Sequence, residues 1–583
     1  MKESKAILIV FGEELPERLN RGYKEVVAKK NLKQAVESAG LRWVDLDGLA
    51  GPGSIYQATT LLEELPHLKL ADGTPVAKSF LYKGYELWWM HYDSLFYHFC
   101  LPYTRYRKLL EYLKDFPSIY FYKPPHANLF SSYLEAYGRK INVIPAPGLH
   151  SPSFLPFGVL LQIILTFIFL PALVVLRRPI MVYVGDKFEK GKDHDFRFRF
   201  VYEELRRKKL PFVEFIRGVE SWRSVLEHVF VRKRPVIYSE TAVFIGRFLS
   251  VLTGGRSSAR KKFGADTFPK NLDPETRFKL SLSTLFLIGV YEDVWAIRIM
   301  RLILSAVGVE TGLITAGSQR NFPTVLGCKL NGIPTVGILH GVASRFYNVY
   351  EFMPGFNGEK RLSVDTYGLW SEWWKSYFIK YSRIYAPEQL YVSGPMRPLL
   401  KIFGVPDKES SSGITRVLFV SEEVAAPEEV LPYLEELLRR QDIKLTLKFR
   451  PSRDGFEQWL ILNNPGVLKR ENLNIVRGSM QEAIAVSDVA VGCQSTGVLE
   501  ALQQTRVPIY FRTEKWGDYY ELADYAPGQP FFAENPEELV QKIRGARAVP
   551  DKFLEELKER FFGDPTRNGS AWVVEQLQKN LET

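Results

Sequence analysis

Cysteine is scarce in this chain of 583 residues. Cys100, Cys328 and Cys493 are its three cysteines. Odd in number and far apart, they exclude a disulfide framework and a zinc site built on thiolates alone, and they point to a reducing compartment. There is no low-complexity tract and no repeat at solenoid spacing, which excludes a stacked-repeat architecture. The opening residues, MKESKAILIV, pass from charge into a short apolar strand without the longer apolar core and small-residue cleavage site of a secretory leader. No nucleic-acid motif is recognisable and the aromatics are not interleaved with the basic runs, so nucleic acid is not an expected partner.

What is present is a globular composition: 46% hydrophobic and 25% charged residues. The chain is too long for one ordinary core, so two to four domains are expected. Lys and Arg number 77 against 66 Asp and Glu, a formal net charge of +11. Such a balance suits nucleic acid, anionic lipid or a phosphorylated substrate.

One stretch chooses among these. FLPFGVLLQIILTFIFLPALVVL (154–176) carries no charge, and Arg177 and Arg178 follow at once. As a helix rising 1.5 Å per residue it is long enough to cross the ~30 Å hydrocarbon layer. Pro156 and Pro171 lie near its ends, and Gln162 and Thr166 lie inside it. Proline bends a helix, so a monotopic, re-entrant or surface-lying anchor is expected rather than a span, with both flanks at the cytoplasmic face. A buried core helix is the alternative. A second stretch, RFLSVLTGGRSSARKKF (247–263), sets apolar bulk beside Arg256, Arg260, Lys261 and Lys262. It suits lipid headgroups or a solvated loop.

From about residue 180 apolar strands alternate with helices, which implies parallel sheets covered on both faces. PIMVYVG, RPVIYSE, TGLITAG and IPTVGILHG read as strands of one sheet; RVLFVSE, IKLTLKFRP, DVAVGCQ and VPIYFR read as strands of another. The fold class is therefore α/β, with two Rossmann-like doubly wound domains facing across a cleft. The expected division is an amino-terminal domain over 1–400, with the membrane-associating insert at 154–178, a linker at 401–415, and a carboxy-terminal domain over 416–583. Residues 1–150 are assigned to the first part of the amino-terminal domain. Within them GYELWWMHYDSLFYHF (84–99) is an aromatic core edge or a platform for sugar or lipid.

Ligands in doubly wound sheets sit at the carboxyl ends of strands. In DVAVGCQSTGVLEAL (488–502) a buried strand ends at Gly492, Cys493 and Gln494, and Ser495 and Thr496 open a helix. Free N–H groups at such an end bind phosphate. Glu500, four residues beyond Thr496, is within reach of a ribose hydroxyl. The same pattern also serves as a capped helix in any α/β protein. Arg450 and Arg453, in KFRPSRD, suit a diphosphate or a solvated rim. Ser318 and Gln319, after the TAG strand end, are candidate acceptor or donor contacts, and Glu240 and Asp195 are candidate bases. DKFEKGKDHDFRFR (186–199) mixes Asp186, Asp193, His194 and Asp195, which suggests a metal, but reads as a solvated loop.

GILHGV (337–342) places a histidine at the end of an apolar strand. With DTYGLWSEWWKSYF (365–378), EQLYVSGPMRPLL (388–400), KFRP and the serine–threonine helix start, it resembles the GT-B glycosyltransferase superfamily. More narrowly it is similar to CDP-glycerol glycerophosphotransferases and to capsule and lipopolysaccharide transferases, including the Kdo type. The resemblance covers roughly residues 310–510. It implies that His340 faces the cleft as general base or phosphate ligand, with Gly341 allowing close approach, and that the second domain holds the nucleotide. It also implies that no metal or cofactor is needed. Leu339 stands where the teichoic-acid enzymes usually carry tryptophan, and Arg450 where many relatives have histidine, so the donor stays open. The expected function is a membrane-associated inverting transferase. It moves a sugar from a nucleotide-activated donor to a lipid-linked or polysaccharide acceptor. A polyol-phosphate transferase and a non-catalytic binding protein of the same architecture are the alternatives.

Overall fold

The structure is a computed structural model. It describes residues 6–17, 19, 22–144, 157–185, 194–217, 222–232, 234–314, 321–341, 343–396, 414–422, 425–450, 454–525 and 530–582. Three parallel sheets organise them. The first has five strands, in the order Arg42–Asp45, Tyr23–Ala28, Ala6–Val10, Ser118–Tyr122 and Lys140–Ile144. The middle sheet has seven: Val236–Tyr238, Phe212–Ile216, Ile180–Val184, Thr311–Ile314, Thr335–Ile338, Thr366–Leu369 and Leu390–Val392. The third has six: Leu473–Val476, Ile443–Lys448, Thr415–Val420, Val489–Gly492, Val507–Phe511 and Phe532–Ala533. IMVYV and VPIYF are buried at every position, as continuous apolar strands must be when helices cover both faces of a parallel sheet.

The division differs from the expected one in two places. Residues 6–144 do not extend the middle sheet, because Ala6–Val10 finds parallel partners on both sides within its own region. The expected 1–400 domain thus contains two sheets, and the expected pair of domains becomes three units. At the other end, helix Gly569–Glu582 leaves the third sheet and returns to the middle one. Val573, Val574 and Leu577 pack with Ile180, Val182, Val336 and Ile338, and Asn580 donates to Thr311 Oγ1 at 3.0 Å. An amphipathic helix records only that it covers something apolar, not which sheet. The linker expected at 401–415 lies outside the described residues up to 413, and the third sheet opens at Thr415.

The aromatic segment is core. Trp88 and Trp89 are fully buried, and the Trp88 indole donates to the Ser283 carbonyl at 2.8 Å, fixing it to helix Pro274–Thr284, which itself packs on helix Ala127–Ala136.

Helix Phe157–Leu176 packs on strand Val236–Tyr238 and on helices Trp222–Arg232, Glu240–Leu252 and Val290–Val307. Its polarity is inside out. Gln162 and Thr166 are 2% and 1% exposed, whereas Val175 is 83% exposed and Phe157, Ile164, Phe167 and Ile168 also face outward. Thr166 Oγ1 lies 3.1 Å from Thr241 Oγ1 and accepts from the Tyr238 amide at 3.1 Å. The polar side chains are therefore satisfied by the protein, and the apolar ones are left to the surroundings.

Candidate functional site between the middle and third sheets

Strand Thr335–Ile338 is buried throughout. Leu339 continues it: its amide donates to the Gly368 carbonyl at 2.9 Å, and its carbonyl accepts from the Trp370 indole at 2.6 Å. Trp370 is fixed in turn because Ser371 caps the following helix, accepting from the Trp374 amide at 3.3 Å. The chain is thus held up to Leu339, and His340 is the first residue to emerge, with its side chain exposed. Across from it, strand Val489–Gly492 of the third sheet ends in a short helix, Thr496–Leu499, prolonged by the tighter turn Glu500–Gln504.

The two ends enclose a cavity of about 150 Å³ lined by His340, Gly341, Trp370, Thr496 and Glu500 among others. Four residues singled out in the sequence, from two sheets, are brought together here. Nearby contacts tie the third unit to the others. Arg345 pairs with Glu521 at 3.0 Å. The Tyr56 hydroxyl donates to the carbonyls of Trp516 and Asp518 at 3.2 and 3.1 Å.

The amides that lead into the helix start are engaged by a residue that sequence reasoning missed. Cys493, Gln494 and Ser495 all donate their N–H groups to Glu422 Oε1, at 2.7, 3.1 and 3.1 Å. Glu422 follows strand Thr415–Val420 and is 1% exposed. Burial pushes its carboxyl up to about 7, against the downward pull of the three amides and of Arg450. Gly492 makes room for it, since a Cβ there would lie 2.5 Å from Oε1. The available signal was Glu422 at the end of RVLFVSE, just past a buried strand that pairs with Val489–Gly492. Ser495 itself caps the short helix, accepting from the Gly497 amide at 3.3 Å. The Gln494 carbonyl accepts from the Tyr520 hydroxyl at 2.7 Å.

Arg450 lies two residues beyond strand Ile443–Lys448 and is exposed, and its amide donates to Asp454 at 3.1 Å. Lys448 turns inward; burial lowers its affinity for a proton and the charge of Glu500 raises it.

The remaining candidates lie elsewhere. Asp195 is not placed as a base: it is 0% exposed, and both its oxygens are taken by Arg197, at 3.0 Å from Nε and 2.5 Å from Nη2. Glu240 lines a different and larger cavity, between the first and middle units. Ser318, Gln319 and Arg453 lie outside the described residues, as does the 186–193 part of the charged loop. Among the described residues, no three His, Cys, Asp or Glu side chains are grouped to hold a metal ion.

No protein-family model matches the chain. No curated protein matches it either. Among solved structures it is similar to the UDP-GlcNAc 2-epimerase of Neisseria meningitidis bound to UDP-GlcNAc, with 12% identity over 69% of this chain and 99% of that one, and a TM-score of 0.39. It is similar to MurG of Acinetobacter baumannii, with 12% identity, 69% and 100% coverage, and a TM-score of 0.39. It is also similar to the glycotransferase of kitacinnamycin, with 12% identity, 69% and 99% coverage, and a TM-score of 0.42.

Proposed function

We propose that the chain is a GT-B-type transferase that uses a nucleotide-activated sugar and works at the cytoplasmic surface of a membrane. The observation that carries this reading is the meeting of His340 and Gly341, at a strand end of the middle sheet, with Thr496 and Glu500 at the end of the third. Facing strand ends of two parallel sheets form the crevice in which nucleotides bind. The return of the last helix to the middle sheet suits a hinged pair of such units.

In this reading the third unit holds the nucleotide, with the Arg450 guanidinium on the diphosphate and Glu500 on a ribose hydroxyl. His340 takes the proton of the acceptor hydroxyl, the general-base role most often filled by histidine. The acceptor oxygen bonds to the anomeric carbon as the bond from that carbon to the diphosphate breaks, and the nucleoside diphosphate leaves. One displacement inverts the configuration, and no metal is required for it. The inside-out helix Phe157–Leu176 supports an anchor that lies in one leaflet and brings the cleft to a lipid-linked acceptor. The three cysteines are buried and unpaired, as suits a reducing compartment.

A non-catalytic binding protein is the second reading. It is favoured by the size of the cleft, since about 150 Å³ is below the roughly 300–1,000 Å³ of ordinary ligand pockets. Thermal-shift titration with UDP, CDP, CMP and GDP decides between them. Stabilisation by one nucleotide, with hydrolysis of its sugar conjugate, supports the transferase. No stabilisation by any of them overturns it.

A further inference from the structure

The larger cavity, about 560 Å³, opens between the first and middle units. Glu240, Val243 and Arg247 line it from one face of helix Glu240–Leu252, and Arg256 and Arg260 line it from the next helix, Gly255–Phe263. That second helix, GRSSARKKF, carries four cations and no acid. Three arginines, Arg247, Arg256 and Arg260, and three carboxylates, Glu240, Glu292 and Asp293, line the cavity, but they do not pair one to one. Arg247 and Arg256 share one carboxylate, Glu292, at 3.4 and 2.5 Å. His91 pairs with Asp293 at 2.8 Å. Glu240 and His98 are the other titratable groups on the wall. Arg260 is exposed and has no ion-pair partner among the described residues. Arg256 and Arg260, four residues apart, stand on one side of their helix.

The surface beside this cavity is apolar. Phe248, Val251 and Leu252, in the last turns of the helix that carries Arg247, are exposed. That helix packs on both Phe157–Leu176 and Val290–Val307, and Leu302 of the latter is exposed too. A recess that holds an arginine without an ion-pair partner among the described residues, at the edge of an apolar surface, has the two-part chemistry that fits an amphiphile. Guanidinium forks match phosphate oxygens, and an acyl or prenyl chain covers the exposed aliphatic and aromatic side chains.

We propose that this cavity is a headgroup site: it takes the phosphate or diphosphate of a membrane lipid, with Arg256 and Arg260 on the phosphate and the tail along the outward face of Phe157–Leu176. The proposal rests on the transferase reading only in taking that lipid to be the anchor of the acceptor. Glu240 then lies at the headgroup rather than at the sugar transferred from the donor.

The test is flotation of the full chain with phosphatidylcholine vesicles doped with a polyprenyl phosphate, and with vesicles brought to the same charge by phosphatidylserine. Arg260→Gln and the double variant R256Q/R260Q should lose roughly ten- to a hundredfold in affinity for the phosphate-bearing vesicles, while binding to phosphatidylserine vesicles changes little. Equal losses on both vesicle types would reduce the arginines to general surface attraction and overturn the site. Unchanged binding to both would overturn it too. So would inorganic diphosphate binding as tightly as the lipid, because the tail would then contribute nothing. Nucleotide affinity, measured on the same variants, reports on the transferase reading separately: its absence from the wild-type chain removes that reading and leaves the headgroup result intact.

Discussion

A Cβ placed on Gly341 would stand 3.9 Å from Thr496 Oγ1. The end of one sheet and the helix start at the end of another are therefore within ordinary van der Waals reach. The first prediction follows from that spacing. Gly341→Ala adds a methyl group that the gap accommodates, and it should leave both thermal stability and donor turnover near those of the wild type. Gly341→Leu sends four carbons into a cavity of about 150 Å³ and should abolish turnover with little change in melting temperature. Parallel measurements of melting and donor hydrolysis check this. Equal activity in the two variants would mean that the chemistry is somewhere else.

His340 is exposed at the mouth of that cavity, so its removal should cost the fold little, within about 0.5 kcal/mol. As a general base it contributes roughly a hundred- to ten-thousandfold to the rate. His340→Ala and His340→Gln should both lose turnover on that scale while binding the nucleotide as before. A variant that loses nucleotide affinity but turns over at saturation would make the imidazole a phosphate ligand instead.

Strands such as IMVYV and VPIYF were legible because burial on both faces leaves a continuous apolar run, and GILHGV because a polar side chain must emerge where such a run ends. Three features were not legible. The strand YKEVVA (23–28) hides its character behind Lys24 and Glu25, and Glu25 is itself buried, accepting a bond from Arg42 at 2.9 Å. Glu422 and the amides it occupies lie 71–73 residues apart, so no local pattern joins them. Asp195 looked like a free acid in a charged loop, yet its partner is two residues away. Periodicity reports which face of an element is covered; it carries no record of which distant polar group completes a site.

Glu422 gives the chain a pH-dependent stability of unusual sign for a carboxylate. Its folded-state value of about 7 lies above the ordinary 4.5. Between those values the folded chain holds a proton that the unfolded chain has released, so stability is full below about pH 4.5 and falls as pH rises toward 7. At about 1.4 kcal/mol per pH unit the loss is roughly 3 kcal/mol. Glu351, buried between the hydroxyls of Tyr367 and Tyr385 and raised to about 8, pushes in the same direction. Glu422→Gln keeps an oxygen for the three amides and removes one proton's worth of slope between pH 4.5 and 7, leaving the part due to Glu351. Urea denaturation across that range reads it. A slope unchanged in the variant would show that the carboxyl stays ionised in the fold.

The inside-out helix makes opposite predictions for its two faces. Phe167 and Ile168 are 54% and 60% exposed, so Phe167→Asp with Ile168→Asp removes little packing. If that face lies in lipid, each acid costs about 2.5–3.5 kcal/mol at the depth of the hydrocarbon centre and less near the surface, enough to release the chain from vesicles. Thr166→Val does the reverse. It keeps the shape but leaves the Tyr238 amide and the Thr241 hydroxyl without the oxygen they meet at 3.1 Å, and it should cost about 1–3 kcal/mol of fold stability without altering vesicle binding. Sedimentation with vesicles and thermal denaturation of the two variants give four numbers. The inside-out assignment requires the losses to fall on opposite measurements: were the double aspartate variant to melt early while staying on the vesicles, the helix would be covered by protein and its outward face would need another partner.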